Sequence, residues 1–223
     1  MPLANIVVET FLKGGPIMWP ILACLVVALA TVAERVLYWR KVRRLRAEPA
    51  FAEILGDVRL GRFGPVWERT RDAASPFLVA LRAGLANGRA EPVTAMQLSA
   101  EETLEEAGAR QWLLSTIVTL APLLGLLGTV IGIMGSFQFI GSEQLAVAKV
   151  SGGVGEALIA TAAGLGIAIV CLIPHNYFHR RVQALRHDLA QAVTQAEVAL
   201  KAAAAAGQPV GEFQPETAAG RAR

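Results

Sequence analysis

Three stretches of the chain contain no Asp, Glu, Lys, Arg or His: residues 14–33, 111–142 and 157–174. Their lengths are 20, 32 and 18 residues. A helix crossing the hydrocarbon core of a bilayer needs roughly 17–25 apolar residues, so the direct expectation is three spanning helices. At 1.5 Å per residue the middle stretch would run about 48 Å, beyond a core of about 30 Å, so that helix projects past the membrane at one end. The rest of the composition agrees, with only 17% charged residues in a chain of 223 and a mean hydropathy of +0.46. A soluble chain carries about a quarter charged residues.

The first stretch reads as a retained helix. "ALATVA" offers small residues for signal cleavage, but the basic residues of "ERVLYWRKVRRLR" follow the apolar run, the reverse of a signal peptide. Seven Lys/Arg lie between Arg35 and Arg59, and Arg180, Arg181 and Arg186 follow the third stretch. The N-terminus offers only Lys13 and the connection between spans two and three only Lys149. The positive-inside rule then sets the N-terminus outside and the middle and C-terminal segments in the cytoplasm. The basic balance reports topology, and no nucleic-acid partner is expected.

The expected class is an all-α integral membrane protein, with long cytoplasmic helical extensions of spans two and three. The segments are an outer interfacial helix at 1–13, span one at 14–39, a cytoplasmic helical region at 40–110 and span two at 111–141. A short periplasmic loop at 142–155, span three at 156–178, a cytoplasmic helix at 179–206 and a disordered tail at 207–223 complete the chain. Breakers at 48–49, 61–65 and 75–76 cut the cytoplasmic region into short helices. Ser75 followed by Pro76 is a helix-start signal. From Pro92 the sequence reads as one continuous helix entering span two.

Helical wheels give each of the last two spans a stripe of small residues. On span three it is Ala157, Thr161, Gly164, Ala168 and Cys171; on span two it is Ser115, Pro122, Gly125, Thr129, Gly132 and Ser136. Such stripes permit close helix packing with hydroxyls bonded across the interface, or they line a path for something that passes or docks. Glu156 starts a different stripe, with Ala160, Ala163, Ile167 and Val170, and lies about 140° from Thr161 on the 100° wheel. One reading makes it a first-turn charge favoured by the helix dipole. The other makes it an intramembrane carboxylate, functional by default.

Cys24 and Cys171 sit early and late in two inward-running helices, so different depths and no disulfide are expected. His175 and His179 are four apart, a possible ligand pair, but a zincin-type glutamate is missing, and no metal or other cofactor is expected. Glu101, Glu102, Glu105 and Glu106 form a solvated helix face or a partner for the basic segment. No hydrolase, P-loop or dinucleotide motif is present, and no enzyme activity is expected.

"APLLGLLGTVIGIMGSF" at 121–137 and "GVGEALIATAAGLGIAI" at 153–169 resemble the MotA/TolQ/ExbB proton-channel family, nearest its ExbB/TolQ branch. With "GGPIMWPILACLVVALATVAERVLYWR" the resemblance covers most of the chain. It implies a proton-channel subunit in the bacterial inner membrane, coupling proton-motive force to work at the outer membrane. It also implies a homopentamer around a single-span ExbD/TolR-like partner with a membrane aspartate, acting on a TonB/TolA-like protein. The family's pore threonines match Thr129 and Thr161, and its membrane glutamate matches Glu156. Two departures concern kink positions: Gly152 stands where the family often has proline, and Val170 where a second proline is common, with Pro174 nearby instead. A flagellar-stator-like subunit, which would carry four spans, and a passive scaffold without proton flow are the alternative readings.

Overall fold

The structure, a computed structural model, describes residues 2–46, 50–88, 91–137, 146–208 and 210. Among these residues every regular element is helical: α1 (Pro2–Lys13), α2 (Met18–Arg46), α3 (Ala50–Arg59), α4 (Phe63–Arg69), α5 (Pro76–Ala86), α6 (Pro92–Gly108), α7 (Gln111–Phe137) and α8 (Ala146–Ala205). Three of the helical stretches are long and apolar enough to cross a membrane. The chain is an all-α, multi-pass membrane protein.

The chain folds as two units. One combines the residues up to Arg35 with Arg110–His179 and holds all three apolar runs. Its outward surface is aliphatic: Leu29, Leu126, Leu158 and Ile173 are each more than half exposed. Water would penalise such a surface at roughly 25 cal/mol per Å², so lipid or another membrane chain covers it. Inside this unit, Met18, Ile21 and Ala160 form a small buried cluster, with Phe11, Ile17, Ile159 and Ile167 packed around it.

The second unit combines Val36–Ala109 with the chain from Arg180 onward. Its core is conventional, with Ile54, Val58, Val66, Leu81, Met96, Ala196 and Ala199 all 0–1% exposed. Thus α3–α6 pack on the C-terminal part of α8. Helix α5 begins at Pro76 with Ser75 extended before it, the start that the Ser–Pro pair announces, although Ser75 makes no side-chain cap bond. Gly61, at φ +71°, turns α3 into α4. Of the expected disordered tail, only Gly207, Gln208 and Val210 are described; Val210 packs on this core. The rest of that tail lies outside the described residues.

Three sequence expectations need correction. The run from Pro92 into span two is not continuous: α6 stops at Gly108 and α7 starts at Gln111, with Arg110 at φ +62° between them. Left-handed backbone costs a non-glycine residue about 1–2 kcal/mol. Here the guanidinium of Arg110 pairs with Glu34 of α2, a long-range partner that no local pattern announces. Arg35, only 4% exposed, pairs with the same carboxylate at 2.9 Å.

Helix α8 starts at Ala146, so residues 146–155 of the expected loop are helical. Glycines at 152, 153 and 155 are poor helix formers. Tertiary contact accounts for one of them: a Cβ on Gly153 would fall on the hydroxyl of Ser136.

The two cysteines are closer in depth than the sequence suggests. Gly15 meets Glu156 and Gly14 meets Ile159, an offset of 141–145 residues between parallel helices. That sets Cys24 level with residues 165–169, within two turns of Cys171. Both are free.

Candidate functional site

Thr161 sits where α7 and α8 come into close contact. The contact is glycine-built. A Cβ on Gly125 would come within 3.0 Å of the Thr161 Cα, and one on Gly132 within 2.9 Å of the Gly153 carbonyl oxygen. A Cβ on Gly164 would press into the Ala121 backbone carbonyl, and one on Gly128 would meet Ala160 at 2.7 Å. Backbones this close gain dispersion contacts and interhelical hydrogen bonds that lipid cannot offer.

One such bond forms. Thr161 Oγ1 donates to the Gly125 carbonyl oxygen at 2.8 Å, from α8 to α7. Ala157, Gly164, Ala168 and Cys171 are buried and Thr161 is half-buried, so the small stripe of span three is packed within the chain. The stripe of span two divides. Gly125 and Ser136 are buried and Pro122, Thr129 and Gly132 half-buried, while Ser115 is exposed. Thr129 Oγ1 donates to its own helix, at the Leu126 carbonyl oxygen, 2.6 Å away. A hydroxyl has one proton to donate and two lone pairs to accept with. In both threonines the proton is committed, which leaves each oxygen able to accept.

Glu156 is half-buried and lies ten residues into α8. It is therefore beyond the first turn, where the helix dipole is felt, and the helix-end reading of this carboxylate loses its basis. Its side chain lies against the backbone of Gly15, where a Cβ would coincide with the carboxylate. Gly15 is in the left-handed region at φ +71°, just ahead of α2. Ala160, one turn on from Glu156, joins Met18 and Ile21. The stripe that begins at Glu156 thus packs on the N-terminal end of α2, whereas the Thr161 stripe packs on α7. The two stripes separate, as the wheel requires.

Gly15 is the site residue that sequence reading missed. The "GG" at 14–15 reads as the end of α1, and nothing local says that the second glycine leaves room for a side chain 141 positions away. Lys13, two residues before it, is paired with Glu9 at 2.7 Å. The Lys13 ammonium, by hydrogen bond and charge, holds the Glu9 carboxyl below the usual carboxylate range.

The two histidines midway along α8 stack with ring centroids 6.4 Å apart and planes 24° from parallel. Among the described residues no group of three His, Cys, Asp or Glu side chains converges as a metal site would require.

Comparison with known proteins then gives the class. Residues 74–191, which include α7 and most of α8, match the MotA/TolQ/ExbB proton channel family, and the chain belongs to it. Its similar proteins set the branch. A putative biopolymer transport protein, ExbB-like 1, from Synechocystis is 34% identical over 74% of this chain and 67% of its own length. The biopolymer transport protein ExbB of Neisseria gonorrhoeae is 46% identical over 34% of this chain and 35% of its own. The Tol-Pal system protein TolQ of Haemophilus influenzae is 39% identical over 42% of each chain. This chain stands nearest the ExbB/TolQ side of the family.

Proposed function

We propose that this protein is the channel-forming subunit of an inner-membrane complex that converts proton-motive force into work at the outer membrane. Its N-terminus faces the periplasm and its C-terminus the cytoplasm, as the distribution of Lys and Arg favours. Copies of the chain assemble, as a pentamer in the ExbB/TolQ pattern, around an ExbD/TolR-like single-span partner with a membrane aspartate. That partner in turn drives a TonB/TolA-like protein.

The observation that carries this reading is Glu156: a carboxylate ten residues inside a spanning helix, against a glycine backbone. An ionisable group at such a position is expensive and is retained for function. The chemistry divides between two kinds of group. The partner's aspartate carries the proton, neutral when protonated and charged when released. Thr129 and Thr161 accept hydrogen bonds from its protonated form through lone pairs that their own bonds leave available. Glu156, on the other stripe, sets the relation of α8 to α2 or takes part in the relay.

Glu156→Gln keeps the shape and removes the charge. Proton uptake by vesicles holding the complex is expected to fall to a small fraction of the wild-type rate, with assembly retained. A passive scaffold predicts no change in either, and an unchanged rate would decide for the scaffold.

A further inference from the structure

Helix α2 presents one face to its surroundings and buries the other. Ala28, Thr31, Arg35, Trp39 and Val42 are buried, at three- and four-residue intervals. The opposite face exposes Trp19, Val26, Leu29 and Leu37 and then, within the next turn, Arg40 and Lys41. Trp19 and Leu37 are 18 residues apart, five whole turns, so they share one azimuth about 27 Å apart along the helix. That is close to the thickness of a hydrocarbon core, about 30 Å.

Trp19 therefore marks one membrane interface on this face, and Arg40 and Lys41 sit just past the other. Six Lys/Arg lie between Arg35 and Arg46, and no acidic residue follows Glu34 until Glu48. Arg40 and Lys41 are exposed, and among the described residues neither has an ion-pair or hydrogen-bond partner. This differs from Arg35, which is buried and bound to Glu34.

We propose that the inner end of α2 is a binding site for the headgroups of anionic phospholipids. The occupant follows from what the face already touches. Leu37 and the residues above it meet acyl chains, and the group found where acyl chains end is a phosphate. Arg and Lys stems lie along apolar surface while their charges reach that phosphate. A basic cluster of four to eight residues directly beyond a span attracts anionic headgroups with about 1 kcal/mol per charge, or about five-fold in affinity each. The competing occupant is the acidic face of α6, where Glu101, Glu102 and Glu105 are exposed. It is a poorer fit, because nothing in that face accounts for the apolar residues that lead into Arg40 and Lys41.

The test uses the full-length protein in vesicles containing spin-labelled phosphatidylglycerol or spin-labelled phosphatidylcholine with the same acyl chains. Wild-type protein is expected to immobilise phosphatidylglycerol preferentially. In the Arg40→Gln/Lys41→Gln variant that preference falls by up to about five-fold for each charge removed. The charge-conserving exchange Arg40→Lys/Lys41→Arg keeps it, which separates loss of charge from loss of fold. Equal binding of the two lipids, or an unchanged preference in the glutamine variant, overturns the proposal. So does displacement of the labelled lipid by an equal concentration of inorganic phosphate, which would mark a site for a soluble anion. A rise in preference in Glu101→Gln/Glu105→Gln would show that α6 covers the basic face, and it overturns the proposal too.

Discussion

Alanine at position 15 is expected to destabilise the membrane unit and to stop proton-driven transport, although it adds a single methyl group. Two effects combine. Gly15 has φ +71°, where an L-residue with a Cβ loses about 1–2 kcal/mol. The added carbon would also occupy the place of the Glu156 carboxylate, so the side chain has to leave its present position. The two effects separate in a double-mutant cycle. Glu156→Ala removes the obstacle but not the backbone strain. Gly15→Ala is therefore expected to cost less in the Glu156→Ala background than in the wild type, as read by thermal unfolding in detergent. Equal costs in both backgrounds would mean that the carboxylate does not rest on Gly15.

The second large effect is expected at Gly164. Valine there would drive its Cβ into the Ala121 carbonyl and bring it within 3.2 Å of the Gly125 Cα. Both neighbours are backbone atoms of α7, so no side chain can swing away and the helices must separate. Overpacking of this kind costs about 1–3 kcal/mol. Separation also breaks the Thr161–Gly125 bond, in a class worth about 0.6 kcal/mol on average and up to about 1.7. Gly166→Val is the control. A Cβ on Gly166 meets nothing within 4 Å, so the same side chain two residues away is expected to leave the unfolding midpoint nearly unchanged. Similar losses at both sites would mean that the α7–α8 approach is looser than described.

These two glycines also show where sequence reading works and where it stops. Gly164 was legible. It belongs to a stripe at helical spacing, and a small stripe on a spanning helix announces a close neighbour. The three spans were legible for an equally local reason, since bilayer thickness translates directly into the length of an uncharged run. Gly15 was not legible, because its role depends on a side chain 141 residues away. The break at Ala109–Arg110 was hidden in the same way, since Arg110 holds its left-handed backbone with a partner on α2.

The sequence places the start of α8 later than the structure does, because helix propensity is a weak prior that packing overrides. The difference bears most on function. With the helix beginning at Ala146, Glu156 moves from a helix end to a helix interior, and its ordinary explanation goes with it. The division between the Thr161 stripe and the Glu156 stripe was readable from the wheel alone. What each stripe touches was not: α7 on one side, and the N-terminal end of α2 on the other.

The central claim is that the hydroxyls of Thr129 and Thr161 serve a proton path. Its most direct test is proton flux into vesicles containing this protein and the single-span partner that co-purifies with it, driven by an imposed gradient. Valine matches threonine in shape and lacks only the hydroxyl, so Thr129→Val/Thr161→Val leaves the helix contact filled. The account predicts flux reduced to the leak of protein-free vesicles, with the complex still assembled. Flux at the wild-type rate through an assembled double variant would contradict it.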